Sequence, residues 1–240
     1  MINKRYKDII EQCIHKGEPT PLSLGTFVVC ALCFIILIIS TFTQISLVHP
    51  WIKFVPGHGF EAFSLHVSYS PLLPAMIFII YILGKGYSFL MFAFYLIVGF
   101  FIWPIFVFGG GLDYIHNYLF GYLLGFIFAI VILNYILEIS YSIIYRIFAA
   151  FLGVLAIHIC GFLYCILLAI FKVISFSLVI PILTEISLGN IFYDIIFSIL
   201  VIIIAPYIKN VFWICMRSKA KLRKSKNVRV RNQVVSDNIN

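Results

Sequence analysis

FYLIVGFFIWPIFVFGGGLDYIHNYLFGYLLGFIFAIVILNYILE, residues 94–138, holds two long apolar runs separated by a short polar break. Each run supplies the roughly 20 apolar residues that one bilayer crossing needs. Pro104 closes the first run, and Gly109, Gly110 and Gly111 stop any helix from continuing. The break then carries Asp113, His116 and Asn117 before the second run begins near Tyr118. A helix of period 3.6 with apolar residues on every face is a membrane span or a deeply buried element.

The composition of the whole chain decides between those two. Its 240 residues are 63% hydrophobic, 18% aromatic and 11% charged, and its mean hydropathy is +1.10. A water-soluble domain cannot carry that composition on its surface, so the chain reads as an integral membrane protein, all-α, with no sizeable soluble domain.

Outward from residues 94–138, the spacing predicts six spans. The first runs from Leu22 to Val48, after Pro19, Thr20 and Pro21, which suit a helix start. The second, Val67 to Leu83, stops at Gly84-Lys85-Gly86, and the third and fourth are Tyr87 to Phe108 and Tyr118 to Glu138. The fifth covers Ile147 to Phe171 and the sixth Leu188 to Trp213. Residues 49–66, with Pro50, Pro56, Gly57 and Gly59, cannot form one helix and are expected at or above the membrane surface. The stretch Lys172 to Ser187 is apolar but broken by Pro181 and serines, and is expected along the interface. Residues 1–20 form a polar N-terminal segment, 21–214 the membrane domain, and 215–240 a basic tail expected to be disordered. The first apolar run is too long for a cleavable signal peptide.

Charge sets the orientation. The net +8 is a property of one tail: residues 209–240 hold nine basic residues against Asp237, while residues 20–208 hold four basic and five acidic ones. Lys and Arg near span ends stay on the cytoplasmic side, and with an even count both termini, the Lys85 turn and the Arg146 loop fall there together. The tail also suits anionic lipid headgroups. No aromatic residue follows Trp213 to stack on bases, so nucleic acid is not an expected partner.

Several residues carry candidate chemistry. The glycine run 109–111, followed by Leu112, Asp113 and Tyr114, can either turn the chain or present N–H groups to an anion at a helix start. Asp194 lies two turns inside an apolar run, where a carboxylate is expensive unless it faces a cavity or the helix starts later. His158 is polar at mid-span and reads first as a histidine bonded across helices. Cys30 and Cys33 form a CxxC inside the first span with no acidic or histidine partner nearby, and read as small apolar filler. Walker, HExxH and GxSxG motifs are absent, and no span carries spaced arginines, so ATP hydrolysis, if needed, falls to a partner.

From Ser64 to Phe171 the order of features resembles the BioY family, the biotin-binding membrane subunits of energy-coupling factor (ECF) transporters. The residues that carry the resemblance are LGKG (83–86), FYLIVGFFIWPIFVFGGGLDY (94–114), FGYLLGFIFA (120–129) and FLGVLAIHICGFLYCILLA (151–169). Two positions depart from the family's pattern. Tyr118-Leu119 stands where a Pro-Thr usually precedes the Gly-Tyr-Leu block, and Phe197 stands three residues after Asp194, where a Lys is frequent. The resemblance implies a binding module that is not an enzyme, placed in the bacterial plasma membrane. It implies biotin as transported ligand, no cofactor, and as partners an ECF transmembrane subunit and two ATPase subunits. It implies a site built from Gly109, Gly110, Gly111, Asp113, Tyr114, Asn117, Tyr122 and Asp194. A subunit for another small vitamin-like anion, a carrier acting alone and a multipass membrane enzyme are the alternatives. The enzyme would gather Asp113, His116 and Asp194 on the outer side.

Overall fold

A computed structural model describes residues 24–55 and 59–211. The expectations for the N-terminal segment 1–20 and the tail 215–240 lie outside the described residues. The protein is mostly helical, and among the described residues five helical stretches are long and apolar enough to cross a membrane: Gly25–Phe42, Leu72–Ile102, Phe120–Ile139, Ile143–Ile170 and Phe176–Val211.

Helix α1 spans Leu24–Phe42, six residues short of the end expected from hydropathy. Thr43 closes it: its backbone N–H and its hydroxyl both donate to the Ile39 carbonyl, at 2.9 and 2.7 Å. The next residues mix β-branched and aromatic types, which favour a strand. The chain accordingly forms an antiparallel pair, β1 (Ile45–Val55) and β2 (Gly59–Tyr69), in register from Ile45 opposite Tyr69 to Val55 opposite Gly59. This hairpin corrects the all-α expectation. Pro50 is tolerated because a two-stranded sheet is all edge.

Helix α2, Leu72–Ile97, runs on through one π-helical turn, Val98–Ile102, and stops before Pro104. It is one stretch in name only. Gly84 inside it has φ +71° and ψ −179°, a backbone only glycine adopts without strain. The two ends confirm a reversal there. Ser70 donates to the Ser40 carbonyl at 2.8 Å, and the Tyr95 hydroxyl lies 3.1 Å from that of the adjacent Thr41. A straight helix would part Ser70 and Tyr95 by roughly 37 Å. The chain therefore folds into two legs at Gly84.

Helices α3 (Phe120–Ile139) and α4 (Ile143–Ile170) pack closely through glycines. A Cβ on Gly125 would sit 2.6 Å from Ile157 Cα, and Cβ atoms on Gly121 and Gly161 would strike Tyr164 and Tyr122. Ser142 caps α4 by accepting from Tyr145 N–H. The first leg of α2 lays Met76, Ile77 and Ile80 on this pair, and the second leg lays Phe92 edge-on against Phe126, 5.8 Å between centroids. Outward-facing Phe27, Ile39, Phe94, Phe128 and Ile159 are exposed, as lipid-facing side chains are.

The last helical stretch is α5 (Phe176–Leu183), a π-helical turn Thr184–Leu188 and α6 (189–211). The expected break at Pro181 is absent. Helix continues through it, and the Thr184 hydroxyl bonds the Pro181 carbonyl at 2.8 Å. The proline removes one N–H, and the wider π turn follows at once.

Candidate ligand site

A cavity of about 650 Å3 opens where the end of β2, the start of the first α2 leg, the loop after α2, the N-terminal half of α3 and the α5–α6 junction meet. Most of its wall is apolar or aromatic, including Leu73, Val107, Phe108, Leu123, Phe126 and Ile186. Such a wall with a few converging polar groups suits a small amphipathic ligand.

Asp194 anchors the polar end. It is 2% exposed, in the second turn of α6, and both carboxylate oxygens are engaged. Oδ1 accepts from the Tyr69 hydroxyl at 3.0 Å, and Oδ2 lies 3.1 Å from Nε2 of His158. Burial first, then the charge of Asp194, raises the Tyr69 hydroxyl far above the ordinary phenol range, so it stays a donor. Tyr69 is itself fixed by two tilted aromatic neighbours: Phe197 at 5.4 Å and Tyr193 at 6.0 Å between ring centroids. Phe197, the residue that departs from the pattern, thus supports the tyrosine that holds Asp194. His158 presents its ring at 87° to that of Tyr122, 5.7 Å away, and the Tyr122 hydroxyl bonds Ser187.

Of the residues singled out from sequence, Tyr114, Tyr122 and Asp194 line the cavity together. Gly109, Gly110, Gly111, Asp113 and Asn117 are not among its wall residues. The N–H groups of Gly109 and Gly111 are taken by the Phe106 and Gly99 carbonyls, at 3.1 and 2.9 Å. A Cβ on Gly110 would strike Pro104. The run thus serves close backbone approach: it folds the loop so that buried Phe106 packs on Tyr95 and Tyr114, at 5.4 and 4.8 Å. The Tyr114 hydroxyl donates to the Val107 carbonyl at 2.9 Å, and burial raises it well above the phenol range. Asn117 accepts from Leu119 N–H at 2.9 Å, just ahead of α3. Asp113 and His116 are exposed on a 3-10 turn, Leu112–His116, apart from buried Asp194, so the three do not gather.

Sequence reasoning missed Tyr69, Gln44, Ser68, Asn190 and the wall role of His158. His158 is bonded across helices, as its depth suggested, and its partner is Asp194.

This architecture and wall have a counterpart among known proteins. The chain matches the BioY family over residues 15–213. It belongs to the BioY family. A solved structure described as the S-component for biotin from an ECF-type ABC transporter has a similar fold, with a TM-score of 0.55 and 17% identity, covering 79% of this chain and 95% of that one. That likeness shows a shared fold. Comparison with curated proteins gives no match. For a BioY-family chain, the hairpin and the Asp194 cluster give the family's bundle a defined pocket at the end where β2 enters the first α2 leg.

Proposed function

We propose that this BioY-family protein is the biotin-capture subunit of an ECF-type transporter, a binding module and not an enzyme. The observation that carries the reading is the buried carboxylate of Asp194, set in a mostly apolar and aromatic cavity wall of a chain that matches the family over most of its length. Biotin brings a ureido group with two N–H donors, an apolar fused ring and a carboxylate. Asp194 accepts the ureido N–H groups, the aromatic wall covers the rings, and the carboxylate lies toward the loop 109–117. Gly109, Gly110, Gly111, Asp113 and Asn117 then act from behind or beside the wall, and Tyr114 and Tyr122 within it.

In this reading the two α2 legs are separate crossings, which gives six in all. Both termini and the Lys85 turn lie in the cytoplasm and the cavity opens to the outside of a bacterial plasma membrane. Energy comes from partners: a membrane subunit and two ATPase subunits. The basic residues after Trp213 lie on the inner surface, where anionic lipid attracts them.

The test is binding of labelled biotin to the detergent-purified full chain, with desthiobiotin and lipoate as competitors. Tight binding displaced by desthiobiotin, which keeps the ureido group, and not by lipoate, which lacks it, is the expected result. A folded sample that binds no biotin overturns the ligand assignment.

A further inference from the structure

We infer that His158 and Tyr69 are positioning residues for ligand selection, holding the Asp194 carboxylate in the one orientation that receives ligand N–H groups. The inference rests on the biotin reading above and assigns how the site discriminates.

A carboxylate on a helix can rotate about two side-chain torsions, and a free one would present its lone pairs in many directions. Here two donors from two other elements grip it, one on each oxygen: Tyr69 at the end of β2 and His158 on α4. Each carboxylate oxygen has a second lone-pair site, so the grip leaves acceptor capacity on both. The grip is rigid because its members are packed. Tyr69 is 1% exposed and wedged against Phe197 and Tyr193, and His158 is 6% exposed against Tyr122. Opposite a carboxylate, Nε2 of His158 carries the hydrogen, and Nδ1 has no partner among the described residues. A carboxyl group that took up a proton would offer an O–H donor toward a ligand donor, which opposes binding. Selection for a ligand with two adjacent N–H groups thus depends on two wall residues that act through the orientation of Asp194.

The experiment pairs protein and ligand changes. Three variants, His158→Leu, His158→Gln and Tyr69→Phe, are measured against biotin and against biotin methylated on both ureido nitrogens, which fills the pocket without N–H donors. His158→Leu is expected to weaken biotin on the order of tenfold to a hundredfold, with little change for the methylated analogue. His158→Gln restores part of the loss, because its amide N–H can reach Asp194. Tyr69→Phe, which keeps the ring packing, weakens biotin alone in the same sense. Equal loss for both ligands, or unchanged biotin affinity in His158→Leu and Tyr69→Phe, overturns the inference. Should His158→Leu fail to fold, Tyr69→Phe and His158→Gln decide it by the same comparison. Absence of biotin binding in the unaltered chain is a separate result and overturns the biotin reading itself.

Discussion

Lys209 Nζ donates to the backbone carbonyl of Tyr81 at 2.9 Å and lies 5.0 Å from the centre of the Tyr81 ring. Tyr69 and Asp194 join the same two parts of the chain at the opposite end. From Leu72, three residues after Tyr69, to Tyr81 the first α2 leg rises roughly 14 Å, and from Asp194 to Lys209 α6 rises roughly 22 Å. The first α2 leg and α6 therefore run side by side in the same direction, pinned at both ends. Lys209→Met removes the inner pin and keeps an apolar stem. It should lower stability by about 1 to 3 kcal/mol, read as a lower thermal midpoint in detergent, with biotin affinity unchanged because the cavity lies at the other end. An unchanged midpoint would mean the contact contributes nothing.

Gly84 is the hinge between the α2 legs, and its φ of +71° with ψ near 180° excludes a Cβ without strain. Nothing lies within 4 Å of where that Cβ would be, so the cost of Gly84→Ala is conformational alone. We expect a loss of about 1 to 3 kcal/mol in unfolding stability. A variant as stable as the parent would show that the legs do not reverse at this residue.

The reversal also fixes which loops share a side. Single cysteines at Lys85 and Asp113, in a background with the native cysteines replaced, should react with a membrane-impermeant maleimide from opposite faces: position 113 in intact cells and position 85 only in inverted vesicles. Labelling of both from one face would contradict separate crossings by the two legs.

Asp194→Asn keeps size and burial but replaces one acceptor oxygen by an NH2 donor that faces either the Tyr69 or the His158 donor and removes acceptor capacity from the ligand side. Biotin affinity should fall by about a hundredfold while the protein remains monodisperse. An affinity within about threefold of the parent would remove Asp194 from the site.

Much of this was readable in the amino-acid order because bilayer crossing imposes a local pattern. Runs of about 20 apolar residues marked the helices, Gly84-Lys85-Gly86 marked the reversal, and a lone carboxylate at Asp194 marked the polar end. The hairpin was hidden because Pro50, Pro56 and Gly57 argue against helix without arguing for a strand. The donors to Asp194 were hidden for a different reason. Tyr69 is one of 14 tyrosines and lies 125 residues from Asp194, and His158 lies 36 away. No spacing rule links such positions; only the packing of three elements brings them together. The glycine run 109–111 was ambiguous in principle, since a close backbone approach and an anion nest ask for the same residue.

The meshing of α3 with α4 through Gly121, Gly125 and Gly161 limits how the molecule can work. Gly125 lies on the Ile157 backbone, and the Tyr164 and Tyr122 side chains fill the space over Gly121 and Gly161, so sliding of one helix past the other is opposed at all three places. Any widening of the cavity falls to the opposite wall, where the strand end and the π-helical turn meet α6. On the biotin reading, α3 and α4 are thus the fixed side of the pocket, and capture and release are the work of the wall that faces them.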